Sequence, residues 1–61
     1  MPFVTVELLE GRTMEQKRAL AEKVTEAVEQ TTGAPKERIH VFVKDIKKDE
    51  YAPSGIFVCD K

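Results

Sequence analysis

The sequence is poor in the groups that staple small domains. It has one cysteine, Cys59, and one histidine, His40. A lone cysteine makes no intrachain disulfide, and one His with one Cys is too few for a structural zinc site. No apolar run is long enough to span a bilayer, and there is no signal-peptide pattern. A reducing cytoplasm is therefore the expected compartment. An excess of either charge is also missing: ten Lys and Arg stand against eleven Asp and Glu, for a net charge of −1. That balance lacks the basic footprint of a nucleic-acid binder and argues against an anionic membrane surface as partner. What remains is a single domain over residues 1–61. A domain of this size buries only about 60% of the surface its unfolded chain exposes. With no disulfide or metal to help, association with further copies of the chain is the expected supplement.

The amino-terminal stretch Met1-Pro2-Phe3-Val4-Thr5-Val6-Glu7-Leu8 organises the rest. Phe3 to Leu9 reads as a strand, with Val4, Val6 and Leu8 on one face and Phe3, Thr5 and Glu7 on the other. The apolar set is expected to face the helix that follows. Glu10-Gly11-Arg12 is a tight loop. Thr13 and Gln16 have the spacing of a capping box, and Glu15 suits the positive end of a helix. The helix is expected over Met14 to Thr32, with Leu20, Val24, Ala27, Val28 and Thr31 as its apolar stripe. Gly33 ends it, and Pro35 prevents continuation. Ile39 to Ile46 is a second strand. Strand, helix, strand in this order makes a βαβ unit, so the strands are expected to be parallel with a right-handed crossover. One helix covers one sheet face. The other face carries Phe3, Thr5, His40 and Phe42, and its apolar character calls for another copy to cover it. Ile56-Phe57-Val58-Cys59 reads as a short terminal strand, an arm that adds to a neighbouring subunit. The fold class is α/β, an oligomeric β-α-β subunit with a two-stranded parallel sheet and a short C-terminal hairpin or strand.

Few residues carry chemistry. If Met1 is removed, Pro2 becomes a free secondary amine. A base must be unprotonated to work, and both burial and a nearby cation disfavour the ammonium form. Proton abstraction beside a carbonyl is what such a base does. Arg12 has the planar fork that suits a carboxylate. The two lie at opposite ends of a strand roughly 20 Å long, so a shared small ligand requires an arginine from another copy. His40 lies mid-strand, and Arg38, two residues earlier, is expected on the same face. Tyr51 is in a loop as a packing residue or a pocket wall. Cys59 reads as a small apolar residue.

The residues resemble the 4-oxalocrotonate tautomerase family over essentially the whole chain. The likeness rests on Met-Pro before a strand, on Leu8-Leu9-Glu10-Gly11-Arg12-Thr13 with Glu15-Gln16-Lys17, on Val24-Thr25-Glu26-Ala27-Val28, and on Thr32-Gly33-Ala34-Pro35. It implies a cofactor-independent isomerase without metal, assembled as a homo-hexamer, a trimer of dimers. The reaction it implies moves a proton in an enol or dienol carboxylic acid to give the keto form. It implies Pro2 as the catalytic base and Arg12, from a neighbouring subunit, as the group that binds and polarises a substrate carboxylate. It further implies a backbone contribution from Leu9, and it places Tyr51 where members have a phenylalanine lining the pocket. One position departs from the pattern. His40 stands where the best-known members have a second arginine, and a histidine is not a fixed cation. Arg38 is a candidate substitute for that charge. The departure keeps two alternatives open: a non-catalytic oligomeric binding module of the same shape, and a hydratase or dehalogenase of unsaturated acids.

Overall fold

The computed structural model describes residues Met1–Lys61. Its regular elements are β1 (Phe3–Leu9), α1 (Met14–Thr32) and β2 (His40–Ile46). β1 and β2 pair in parallel, from Phe3 opposite His40 to Leu9 opposite Ile46. The ladder extends one bond past each end: the His40 N–H donates to the Pro2 carbonyl at 3.0 Å, and the Glu10 N–H donates to the Ile46 carbonyl at 2.9 Å. The β-α-β subunit with a two-stranded parallel sheet is thus present. His40 begins β2. Ile39, expected inside that strand, instead closes a short 3₁₀ turn over Lys36–Arg38.

α1 starts where its caps dictate. Thr13 Oγ1 accepts from the Gln16 N–H at 3.1 Å, and Gln16 Oε1 accepts from the Thr13 N–H at 3.0 Å. Two donors that the first turn leaves unpaired are thereby satisfied. The helix ends at Gly33, whose φ of 78° is left-handed and whose N–H donates to the Glu29 carbonyl. A side chain there would be strained although the space is open. Near the C-terminal end, Thr31 and Thr32 turn their hydroxyls back onto the Ala27 and Val28 carbonyls, which absorbs their polar groups inside the helix.

Val4, Val6 and Leu8 are half-buried and alternate with exposed neighbours, as the period-two pattern requires. On the helix, Leu20, Val24 and Val28 form the covered stripe, but Ala27 and Thr31 are exposed. Ala21 and Thr25 are covered in their place. The true stripe follows three- and four-residue steps from Lys17, which rotates it by about one residue from the expected one. Lys17 crosses to β2 and forms an ion pair with Asp45.

The terminal strand expected over Ile56–Cys59 is not formed. Pro53–Gly55 and Val58–Asp60 are 3₁₀ turns, and only Ile56 and Phe57 between them are extended. A strand exists by pairing, and no strand lies beside this segment. Its amides turn inward instead: Val58 N–H donates to the Tyr51 carbonyl at 3.0 Å and Cys59 N–H to the Lys48 carbonyl at 3.1 Å.

The chain buries little. Ile39, 8% exposed, is its one buried residue. The accessible surface is 4812 Å², against roughly 4000 Å² for a compact monomer of this mass. The radius of gyration is 14.5 Å, against about 10.5 Å for a compact chain of this length. Phe3 and Phe42 remain 64% and 49% exposed on the uncovered sheet face. Because the capping box is complete, Thr13→Ala is expected to cost about 1 kcal/mol, read as a lower urea midpoint at fixed protomer concentration.

Candidate active site

The parallel register sorts the candidate residues into two groups, one at each end of the sheet. Pro2 lies at the start of β1 and is half-buried. Its carbonyl is held by the His40 amide. The His40 ring stacks on Phe3, with centroids 5.1 Å apart and planes 19° apart. Phe42 continues the aromatic row, its ring 6.4 Å from that of Phe3. The Nε2 atom of His40 is buried and has no hydrogen-bond partner. A polar atom left this way is costly, about 1–3 kcal/mol.

Arg38 is at this end too, but as the last residue of the 3₁₀ turn rather than a strand residue. The two-residue alternation that was to align it with His40 therefore does not extend to it. It is exposed and forms no ion pair.

The second group gathers where β1 ends. Leu9 pairs with Ile46 and keeps an exposed side chain. Gly11 adopts a φ of 121°, a region that favours glycine. This turn sends the chain back into the capping box and leaves Arg12 exposed between strand and helix. Arg12 lies on a groove with Leu8, Gln16, Lys17 and Leu20. It has no carboxylate partner, since Lys17–Asp45 is the chain's ion pair. The loop after β2 is tied to the same end, where the Lys48 N–H donates to Glu10 Oε2 at 3.0 Å. Tyr51 follows in that loop and is exposed.

The structure therefore brings Pro2 and His40 together and sets Leu9 and Arg12 apart from them by the length of β1, roughly 20 Å. Sequence reasoning missed the Phe3–His40 stack. Its signal was latent in the parallel pairing, which places the first residues of both strands side by side, but only the register reveals it.

A family profile described as "Tautomerase enzyme" matches residues 2–61. A probable tautomerase of Bacillus cereus is 61% identical over the full length of both chains. A 2-hydroxymuconate tautomerase of Bacillus subtilis is 64% identical over 55 residues, 90% of this chain and 89% of that one. Among solved structures, a homologue of 4-oxalocrotonate tautomerase superposes with a TM-score of 0.93 at 58% identity, covering 98% of each chain. At the Arg12 turn, Gly11→Ala is expected to cost about 1–3 kcal/mol through backbone strain alone, because nothing lies within 4 Å of the added Cβ. Urea unfolding at fixed protomer concentration measures it.

Proposed function

The chain belongs to the tautomerase family and is a keto–enol isomerase, and from that premise we propose that Pro2, freed by removal of Met1, is its general base. The observation that carries the reading is the placement of Pro2. It sits half-buried at the open end of the sheet, its carbonyl bonded to His40 and an aromatic row beside it. Apolar surroundings disfavour an ammonium and so favour the free amine that a base requires. In the reaction, the amine takes the proton of the enol hydroxyl and returns it to a carbon conjugated with that oxygen. The product is the keto acid, with no net change in atoms and no redox partner.

Arg12 supplies the complementary charge. Its guanidinium binds a substrate carboxylate and draws electron density toward it as the proton moves. Since Arg12 lies at the far end of its own strand, the arginine of a given site comes from a second copy. A homo-oligomer, with the hexamer as its form, meets that requirement. The two ends of one chain then belong to two different sites. Leu9 contributes backbone beside Arg12, Tyr51 walls the pocket, and His40 and Arg38 stand at the Pro2 end to meet the substrate's remaining oxygens. The substrate class is an enol or dienol carboxylic acid. The named activity of the Bacillus subtilis relative, 2-hydroxymuconate tautomerization, belongs to that class.

Ketonisation of an enol acid tests the reading. Pro2→Ala is expected to lower kcat/KM by about 10²-fold or more, the scale of a general base, and wild-type turnover in that variant contradicts it. A preparation that mass spectrometry shows to retain Met1 is expected to be inactive, because the Pro2 nitrogen is then an amide. Arg38→Ala is expected to raise KM if that side chain replaces the missing second cation. An unchanged KM removes Arg38 from the site.

A further inference from the structure

The turn that carries Arg12 is held only through its neighbours. No backbone-to-backbone hydrogen bond of the chain involves Gly11 or Arg12, and Arg12 is in no ion pair. Gly11, at a φ of 121°, has no side chain to restrict it. After Arg12, Thr13 is fixed by its capping box with Gln16. Before it, Glu10 is fixed twice. Its N–H donates to the Ile46 carbonyl at 2.9 Å, and its Oε2 accepts from the Lys48 N–H at 3.0 Å. We propose that Glu10 is a positioning residue for Arg12. Its carboxylate clasps the turn to the loop after β2 and so aims the guanidinium that meets the substrate carboxylate. The inference rests on the reading above, in which Arg12 is that group. It adds what holds the group in place.

The clasp has a firm anchor. Lys48 lies 38 residues along the chain from Glu10, and its peptide is bonded on both sides. Its carbonyl accepts from the Cys59 N–H at 3.1 Å. The loop is also closed on itself, since the Glu50 N–H donates to the Lys47 carbonyl at 2.9 Å and the Lys47 N–H donates to Glu50 Oε1 at 3.3 Å. Through one carboxylate the Arg12 turn is therefore joined to this loop and to the C-terminal segment.

The bond has little to do with stability. Glu10 and Lys48 are both exposed, and water competes for such a bond. Its effect is on direction. It also keeps a rival away from Arg12. A carboxylate two residues from a guanidinium is a natural partner for it, and a guanidinium so paired is closed to a substrate carboxylate. Held on the Lys48 amide, Glu10 forms no ion pair with Arg12.

Turnover of an enol acid and of its methyl ester tests this. The ester has no carboxylate for Arg12, so a general loss of structure lowers both rates, while a misplaced Arg12 lowers only that of the acid. Glu10→Ala is expected to lower kcat/KM on the acid about three- to tenfold, the fold-change of one hydrogen bond, and to leave the ester unchanged. Glu10→Gln keeps an oxygen in reach of the Lys48 amide and is expected to match the wild type on both. Glu10→Asp keeps the charge but is one methylene short. It is expected to lose at least as much on the acid as Glu10→Ala, and it carries the test if the alanine variant does not fold. Wild-type turnover of the acid by Glu10→Ala or Glu10→Asp overturns the inference, as does equal loss on acid and ester. A glutamine variant as impaired as the alanine one overturns it too, because the charge and not the bond then matters. If Arg12→Ala is impaired on the acid while Glu10→Ala is not, this inference fails and the proposed function stands. Wild-type turnover of the acid by Arg12→Ala overturns both.

Discussion

The parallel ladder between β1 and β2 is the constraint on which the rest depends. It begins at the bond from the His40 amide to the Pro2 carbonyl and ends at the bond from the Glu10 amide to the Ile46 carbonyl. A parallel pair requires a long crossover, and α1 supplies it, bounded by the Thr13–Gln16 capping box and Gly33. The same register puts Pro2, Phe3 and His40 at one end and Leu9, Gly11 and Arg12 at the other. Shifting it by one residue would turn His40 toward the helix and separate its ring from Phe3.

The ladder also leaves half of the sheet uncovered. Two strands and one helix make two layers, and only one sheet face is covered. Ile39 alone is buried, and the surface is about a fifth larger than that of a compact monomer of this mass. Stability and function then make the same demand. The apolar face is left open to water by the single chain, and in the proposed site the proline of one chain needs the arginine of another to hold a carboxylate. In that reading, covering the apolar face is also what builds the proposed site.

Much of this was legible in the residues. The strand over Phe3–Leu9 and the helix over Met14–Thr32 follow from alternation, a capping box and a terminal glycine, which are local signals. So does the distance between Pro2 and Arg12, since a strand has a fixed rise. What was not legible depends on neighbours. The helix stripe rotates from Ala27 and Thr31 to Ala21 and Thr25 because docking on β2, with Lys17 reaching Asp45, sets the helix's roll. Arg38 leaves the strand because the chain after Pro35 closes a 3₁₀ turn before the ladder starts. Ile56–Cys59 has a strand's composition but no strand beside it, so its amides bond to Lys48 and Tyr51. The orphaned Nε2 of His40 could not be read from a lone histidine in a sequence, because it arises from the Phe3 stack and the register together.

The central claim is that each site takes its proline from one copy and its arginine from another. Complementation tests it directly. Pro2→Ala and Arg12→Ala chains, each prepared alone, form sites lacking one of the two groups. Mixed in equal amounts, unfolded and reassembled together, they should recover about one quarter of wild-type turnover, since random pairing joins an intact proline to an intact arginine in about that fraction of sites. Recovery no greater than that of the separate variants would contradict the account, because it would place both residues of a site on the same chain.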